Sequence, residues 1–385
     1  MTTLLQNCRL ISPDIDLEGA SLLLDGGRVE RIVAPGAEIP HAEHILEMNG
    51  KIVAPGYLDI HCHGRGGADF SDGDMASFET IGKGKLADGV TGFLATTLSV
   101  SLEDIAKTCR TAEEYRTENR TGARLLGMHL EGPFFSPDGA GAQNPAFLRN
   151  PDIALVDKWN ALCPVKKVSF SPELPGSADF TRELVKRGIM PSGAHSLAEY
   201  EVFEEMRRGG MKHLTHFCNV LTPLHHLKFG FVGGGFLAKD VFVEIITDGV
   251  HLCNEMIELI LSVKGCEKVM MITDSMRAAG MPDGDYSLGG LPVIVKNGRA
   301  TLPSGRVAGS TLLYHNGVKR LLEGTHLPPK ELIKCTSWNQ ARSLNLEGYG
   351  RLEPGYHADL VVLDAQWNPL ETWVGGMPRW RREAE

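Results

Sequence analysis

No apolar run in this 385-residue sequence approaches the roughly 20 residues that cross a bilayer, and no basic N-terminal segment leads into an apolar stretch. Neither a membrane span nor a secretory signal is expected. Dense basic runs are missing too: the tightest cluster is Arg379 to Arg382, and the formal net charge is -9. That balance offers no field for a nucleic acid or an anionic membrane, although a few local donors can still hold a small anion. The eight cysteines are scattered, with no C-x-x-C pair and no disulfide-like framework, as in reduced cytoplasmic proteins. Short internal repeats and low-complexity segments are absent as well. What is present is the composition of a globular enzyme, with 42% hydrophobic residues and enough length to bury a large core.

The two ends of the chain read as short strands. Leu4 to Ile11, Ser21 to Leu24 and Arg28 to Val33 open it, the last two joined through Asp25-Gly26-Gly27. Asp359 to Asp364 and a hairpin at Gly375-Gly376 close it. We expect residues 1–50 and 346–385 to form one small β-sandwich. Residues 51–345 instead alternate apolar strands with amphipathic helices, the pattern of repeated βαβ units. Eight strands are expected: Ile52 to Ile60, Gly92 to Leu98, Arg124 to Leu130, Lys167 to Ser171, Gly188 to Ser192, His213 to Thr215, Val241 to Ile246 and Lys268 to Ile272. Eight strands close a barrel, so the fold class is α/β, a (β/α)8 TIM-type barrel. Ser101-Leu-Glu-Asp104 has the form of a capping box, and Leu102, Ile105, Ala106, Cys109 and Ala112 follow at helical spacing. Asn297-Gly298 marks a β-hairpin insertion near 285–303.

The chemistry gathers at the carboxyl ends of these strands. The first ends in His61-Cys62-His63, the third in His129-Leu130-Glu131, the fifth at His195, the sixth at His216 and the eighth at Asp274; the seventh leads to His251. In a barrel those ends share one face, where active sites lie. Residues two apart on a strand point the same way, so His61 and His63 can reach one ion. Alone, such a pair does not separate a ligand from a structural histidine; ligand types at several other strand ends do. The donor set suits Zn2+ first, with Fe2+, Mn2+ or Co2+ as other candidates, and one or two ions per subunit. Cys62 and Cys218 read as packing residues, His129 as a core or supporting residue, and His213 as a strand start. Asp274 is equally placed to cap a helix over Ser275 to Ala279.

Pro55-Gly-Tyr-Leu-Asp-Ile-His-Cys-His-Gly64 resembles the entry motif of the amidohydrolase superfamily. His129-Leu-Glu-Gly-Pro-Phe134, Thr215-His-Phe-Cys-Asn219, Pro223-Leu-His-His226, Asp248-Gly-Val-His251, Ile272-Thr-Asp-Ser-Met276 and Val307-Ala-Gly-Ser-Thr-Leu312 are similar to motifs of the N-acetylglucosamine-6-phosphate deacetylase family. The resemblance runs in order from about residue 50 to Leu352-Glu-Pro-Gly-Tyr-His-Ala-Asp-Leu360. It implies a homodimer of barrels, each with a small terminal β-sandwich, and removal of acetate from an amino sugar phosphate. Glu131, His195 and His216 would hold the principal metal, His61 and His63 would help hold a second, and Asp274 would be the general base and acid. The Asn219 region would meet the phosphate through side-chain and backbone donors, His251 would contact the sugar hydroxyls, and Val220, Ala142, Val307 and Ala308 would also meet the substrate.

Two positions depart from that pattern. Gln143 stands where the family has histidine; its amide can still donate to an acetyl oxygen but cannot be cationic. Leu227 stands where the family has the arginine that meets phosphate, with Lys228 beside it as a substitute point charge. The expected reaction is therefore deacetylation of N-acetylglucosamine 6-phosphate, with N-acetylgalactosamine 6-phosphate or another N-acetylated, even unphosphorylated, amino sugar as the alternative. A noncatalytic barrel scaffold would have lost ligands or the proton carrier, and all six groups are present.

Overall fold

Eight short strands line up in parallel through the middle of the chain in the computed structural model, which describes residues 2–383. They are Tyr57–Asp59, Val90–Thr96, Arg124–Glu131, Val165–Phe170, Met190–Gly193, His213–Leu214, Phe242–Ile246 and Val269–Ile272, and each pairs with the next in chain order. The first and last meet at their carboxyl ends. There the Asp274 amide donates to His61 O at 2.9 Å, the His63 amide donates to Ser275 O at 2.8 Å, and Cys62 bridges Ser275. Strands such as Val90–Thr96 are buried along their whole length, because helices cover the outside and side chains fill the inside. The helix Leu102–Glu118 begins as its sequence predicts: Ser101 Oγ accepts from the Asp104 amide, and Ile105, Cys109 and Ala112 turn inward. No helix among the described residues is long and apolar enough to cross a membrane.

One expected strand divides. Ile52–Pro55 pairs with Thr3–Ser12 and antiparallel with Leu360–Leu363, while Tyr57–Asp59 belongs to the barrel. The crossing point is Gly56, where a Cβ would lie 2.1 Å from Thr91 Cγ2, so a side chain there would collide with the neighbouring barrel strand. An unbroken apolar run carries no mark of such a change of partner.

The two ends of the chain meet in a second, mixed sheet of eight strands. Thr3–Ser12 lies within it, flanked by Ile15–Asp25 and, in succession, by His44–Glu47 and Ile52–Pro55. His44–Glu47 was not expected as a strand, being only four residues with little burial. Val29 near one side of the sheet and Trp373 near the other share a core with Leu5, Leu22 and Leu360, so the sheet curls over itself. Period-two alternation then joins the two units: Leu360 and Val362 face this core, whereas Val361 and Leu363 pack into the main core beside Tyr57 and Phe93. Residue 1 and residues 384–385 of the expected terminal module lie outside the described residues.

The inserted hairpin is three-stranded: Gly284–Leu288 pairs with Leu291–Lys296, which pairs with Arg299–Thr301 around Asn297-Gly298. Leu288, Val293, Val295 and Ala300 seat it on Leu98, Met276 and Ala308. The helix that Asp274 was placed to cap does not form. Residues 277–280 are turn, and Asp274 itself has φ 50°.

Candidate metal centre and active-site cavity

Six side chains from five barrel strands converge at the closed end. His61 Nε2 and His216 Nε2 lie 3.2 and 3.3 Å from Glu131 Oε1, and His195 Nε2 lies 3.7 Å from the same oxygen. His63 Nε2 is 3.2 Å from Glu131 Oε2 and 3.1 Å from Asp274 Oδ1. Glu131 thus stands between two groups, His61-His63-Asp274 and Glu131-His195-His216; within each, ligand atoms lie within 4.8 Å of one another. His195, His216 and Asp274 all have positive φ, at 47°, 30° and 50°. Left-handed backbone at three such residues is strain of the kind that functional sites hold. The strain is over-determined by hydrogen bonds: the His216 amide donates to Glu244 Oε2, and the Ser310 amide donates to Asp274 O.

The outer nitrogens decide what the inner ones can do. His61 Nδ1 is 3.0 Å from Glu244 Oε2, and His195 Nδ1 is 3.0 Å from Gly139 O. A carboxylate and a carbonyl only accept, so each Nδ1 carries a hydrogen and each ring turns its Nε2 inward as the atom that can meet a metal. Among the described residues, His61 Nε2 and Glu131 Oε1 find no partner with hydrogen-bond geometry, and the Nε2 atoms of His195 and His216 face each other at 3.1 Å. Ring nitrogens and carboxylates brought together in a buried space call for a cation. Burial presses the His61 imidazolium down, but Glu131, Asp274 and Glu244 reverse this and raise its pKa to about 9. His63 is likewise pushed down by burial but raised overall, to about 10, by Asp274 and Glu131. The same negative field and the same nitrogen and oxygen donors fit one or two divalent metal ions.

Above this cluster opens a cavity of about 150 Å³. Ala142, Gln143, Asn219, Val220, His251 and Val307 line it together with His63, Glu131, His195, His216 and Asp274, while His61 is fully buried beneath. Gln143 is engaged at both ends: its Oε1 accepts from the Ser99 amide and its Nε2 donates to Glu131 Oε2, each at 2.8 Å. His251 Nδ1 is 2.7 Å from Asp248 Oδ2; burial works against its charged form, but Asp248 raises its pKa above the ordinary value. Ala308 is buried under the inserted hairpin and does not line the cavity. Lys228 does not line it either, and Leu227 beside it is 80% exposed on the loop. His225 and His226 are exposed on that loop too. His129 is a core residue between Thr96 Oγ1 and Ser169 Oγ, packed edge-on against His61, and His213 is buried 3.4 Å from Glu244.

Several supporting groups escaped the sequence reading. Glu244 pairs with Lys167 and also holds His61, and Lys85 Nζ meets Asp59 Oδ2 at 2.5 Å while Thr273 Oγ1 donates to the same oxygen. The second pair ties the first barrel strand to the last. Their signal was available: a single charge within a run such as Phe242-Val-Glu-Ile-Ile246 or Tyr57-Leu-Asp59. Arg306, on the cavity wall, was missed as well. Small residues make room for the ligands. A Cβ at Gly141 would lie 2.8 Å from His195 Cε1, and one at Gly139 would lie 2.3 Å from His195 O.

Residues 52–380 match the amidohydrolase family. The chain is 33% identical to an N-acetylglucosamine-6-phosphate deacetylase of Lysinibacillus sphaericus over 368 residues, 94% of each protein. It is 32% identical to an N-acetylgalactosamine-6-phosphate deacetylase of Escherichia coli O157:H7, over 98% of this chain and 99% of that protein. The crystal structure of N-acetylglucosamine-6-phosphate deacetylase from Thermotoga maritima superposes with a TM-score of 0.89 at 36% identity, covering 98% of this chain and all of the other.

Proposed function

This chain belongs to the amidohydrolase family and is a hydrolytic enzyme, and from that premise we propose that it deacetylates N-acetylglucosamine 6-phosphate, releasing glucosamine 6-phosphate and acetate. The observation that carries the reading is the position of Asp274, which lines the cavity with its carboxylate 3.1 Å from His63 and beside Glu131. Glu131, His195 and His216 would hold the principal divalent ion, and His61 and His63 would help hold a second. Zinc is the first choice for their nitrogen and oxygen donors. Such an ion would acidify water toward a pKa of about 7 and polarise the amide carbonyl.

Asp274 does the proton work. Burial raises the pKa of its carboxyl, but His61 and His63 reverse this and hold it below the ordinary value, so the group is ionised and can accept a proton. It takes that proton from the attacking water. Once the water oxygen has bonded to the carbonyl carbon, Asp274 returns the proton to the amide nitrogen and the C–N bond breaks. Gln143 would direct its remaining amide hydrogen at the acetyl oxygen, His251 would meet the sugar hydroxyls, the Asn219 region would meet the phosphate, and Val220, Ala142 and Val307 would wall the ring. Ala308 would support the Val307 loop from beneath.

Leu227 favours keeping a second substrate in view, N-acetylgalactosamine 6-phosphate or an unphosphorylated N-acetyl sugar. The test is acetate release from both epimers, with and without phosphate, by metal-loaded protein. The reading predicts fastest turnover of N-acetylglucosamine 6-phosphate and a loss of about 10²- to 10⁴-fold in kcat for Asp274→Asn with binding retained. Equal turnover of the unphosphorylated sugar, or an unimpaired Asp274→Asn variant, would sink it. Two further proposals accompany it. A homodimer finds support in the exposed apolar side chains of Leu224, Leu227 and Phe229 on one loop, and light scattering of purified protein measures it. A cytoplasmic location finds support in eight cysteines that are all free thiols.

A further inference from the structure

An anionic sugar is best held by a cation near the cavity mouth, and the residue expected to supply one does not line the cavity. Leu227 is largely exposed on its loop, and neither it nor Lys228 reaches the cavity. Among the described residues, Arg306 is the only arginine or lysine that lines the cavity. It follows the tight turn Leu302 to Gly305, where the Leu302 amide donates to Arg306 O and Gly305 has φ 85°. From there its side chain crosses to the loop after the third barrel strand, and Nη1 donates to Gly141 O at 2.9 Å. Gly141 in turn lies against both His195 and Val220: a Cβ on it would sit 3.4 Å from Val220 Cγ2. The guanidinium therefore bridges the two walls of the cavity.

Charge placement separates the two ends of a bound substrate. Glu131 and Asp274 make the floor acidic, which suits a metal ion and the amide, so the opposite end of a bound sugar would extend toward the exposed rim. Arg306 is exposed at that rim and spends one of five N–H donors on Gly141, leaving donors for an oxyanion in the planar arrangement that phosphate favours. We infer that Arg306 is the cationic contact of the phosphate, beside the Asn219 region, and the residue that sets preference for phosphorylated over neutral amino sugars. This rests on the deacetylase reading for the substrate class. Arg299 is the competing cation: its charge acts on His251, although it does not line the cavity.

The test is calorimetric titration of metal-loaded Asp274→Asn protein with N-acetylglucosamine 6-phosphate and with N-acetylglucosamine. Adding Arg306→Gln should weaken the phosphorylated sugar by about 10- to 100-fold and leave the neutral sugar unchanged. Adding Arg306→Lys should restore part of the loss, and adding Arg299→Gln should change neither sugar more than about twofold. The inference is overturned if both sugars weaken equally, which would mean that Arg306 only anchors the hairpin to Gly141. It is also overturned if the preference survives Arg306→Gln or follows Arg299. A wild-type protein that binds the phosphorylated sugar through Arg306 yet releases no acetate would refute the deacetylase reading and leave this contact standing.

Discussion

Replacing Glu244 should separate the support of the fold from the support of the metal site. Its carboxylate is fully buried: Oε1 pairs with Lys167 and lies 3.4 Å from His213 Nε2, while Oε2 lies 3.0 Å from His61 Nδ1 and accepts from the His216 amide at 3.2 Å. Glu244→Ala strands the Lys167 ammonium in the core, which costs about 3–5 kcal/mol, and leaves the His216 amide unsatisfied for about 1 kcal/mol more. Glu244→Gln keeps the shape but takes the charged acceptor from His61, so metal affinity should fall about 10- to 100-fold. Glu244→Gln with Lys167→Met should recover most of the stability and none of the affinity. Burial alone would raise the Glu244 pKa, but Lys167 and His61 hold it far below the ordinary carboxylate value. A carboxylate so depressed stabilises the fold above its unfolded pKa of about 4.3, and that contribution is lost progressively as pH falls below it. Urea unfolding of metal-free protein measures the first quantity, and competition with a chromogenic chelator measures the second. Glu244→Ala within 1 kcal/mol of the parent, or Glu244→Gln with unchanged metal affinity, would refute the reasoning.

Gly141→Ala should cost about 1–2 kcal/mol and lower activity, because φ is 62° there and the new methyl would lie 2.8 Å from His195; thermal unfolding and acetate release follow it. Chelation should lower the unfolding temperature reversibly, since an ion present at 100 times its dissociation constant stabilises by about 2.7 kcal/mol; scanning calorimetry with and without added Zn2+ checks this. Lys264 donates to Gly235 O at 2.8 Å and to Ala238 O, yet burial and the charges of Lys239 and Lys268 push its pKa down to about 8. The unfolded chain then binds more protons between pH 8 and about 10.4, so stability should rise with pH across that window by up to about 3 kcal/mol, and the rise should be absent in Lys264→Met.

Much of the fold was legible because its signals are local and repeated. Apolar strands, a capped helix at Ser101 and turn glycines each report on a few neighbouring residues, and eight repetitions imply closure. Where two sheets share one apolar run, as at Ile52 to Asp59, the local signal is the same on both sides of Gly56, and only the partner strands distinguish them. His44–Glu47 and Gly284–Leu288 are strands through their pairing, with little periodicity of their own to announce them.

The candidate site divides in the same way. By itself, the sequence determined the chemical inventory: His61, His63, Glu131, His195, His216 and Asp274 all stand at strand ends, and a barrel must bring its strand ends to one face. Tertiary structure decided the rest. It brought Glu244 and Lys167 behind His61 from strands that are distant in sequence, tied Gln143 to Glu131, left Leu227 and Lys228 off the cavity wall, and carried Arg306 across 165 positions to Gly141. The physical reason is one of range. Backbone pairing and side-chain alternation are set within a few residues, whereas charge partners in a buried site are chosen by distances of about 3 Å between segments whose separation along the chain carries no information.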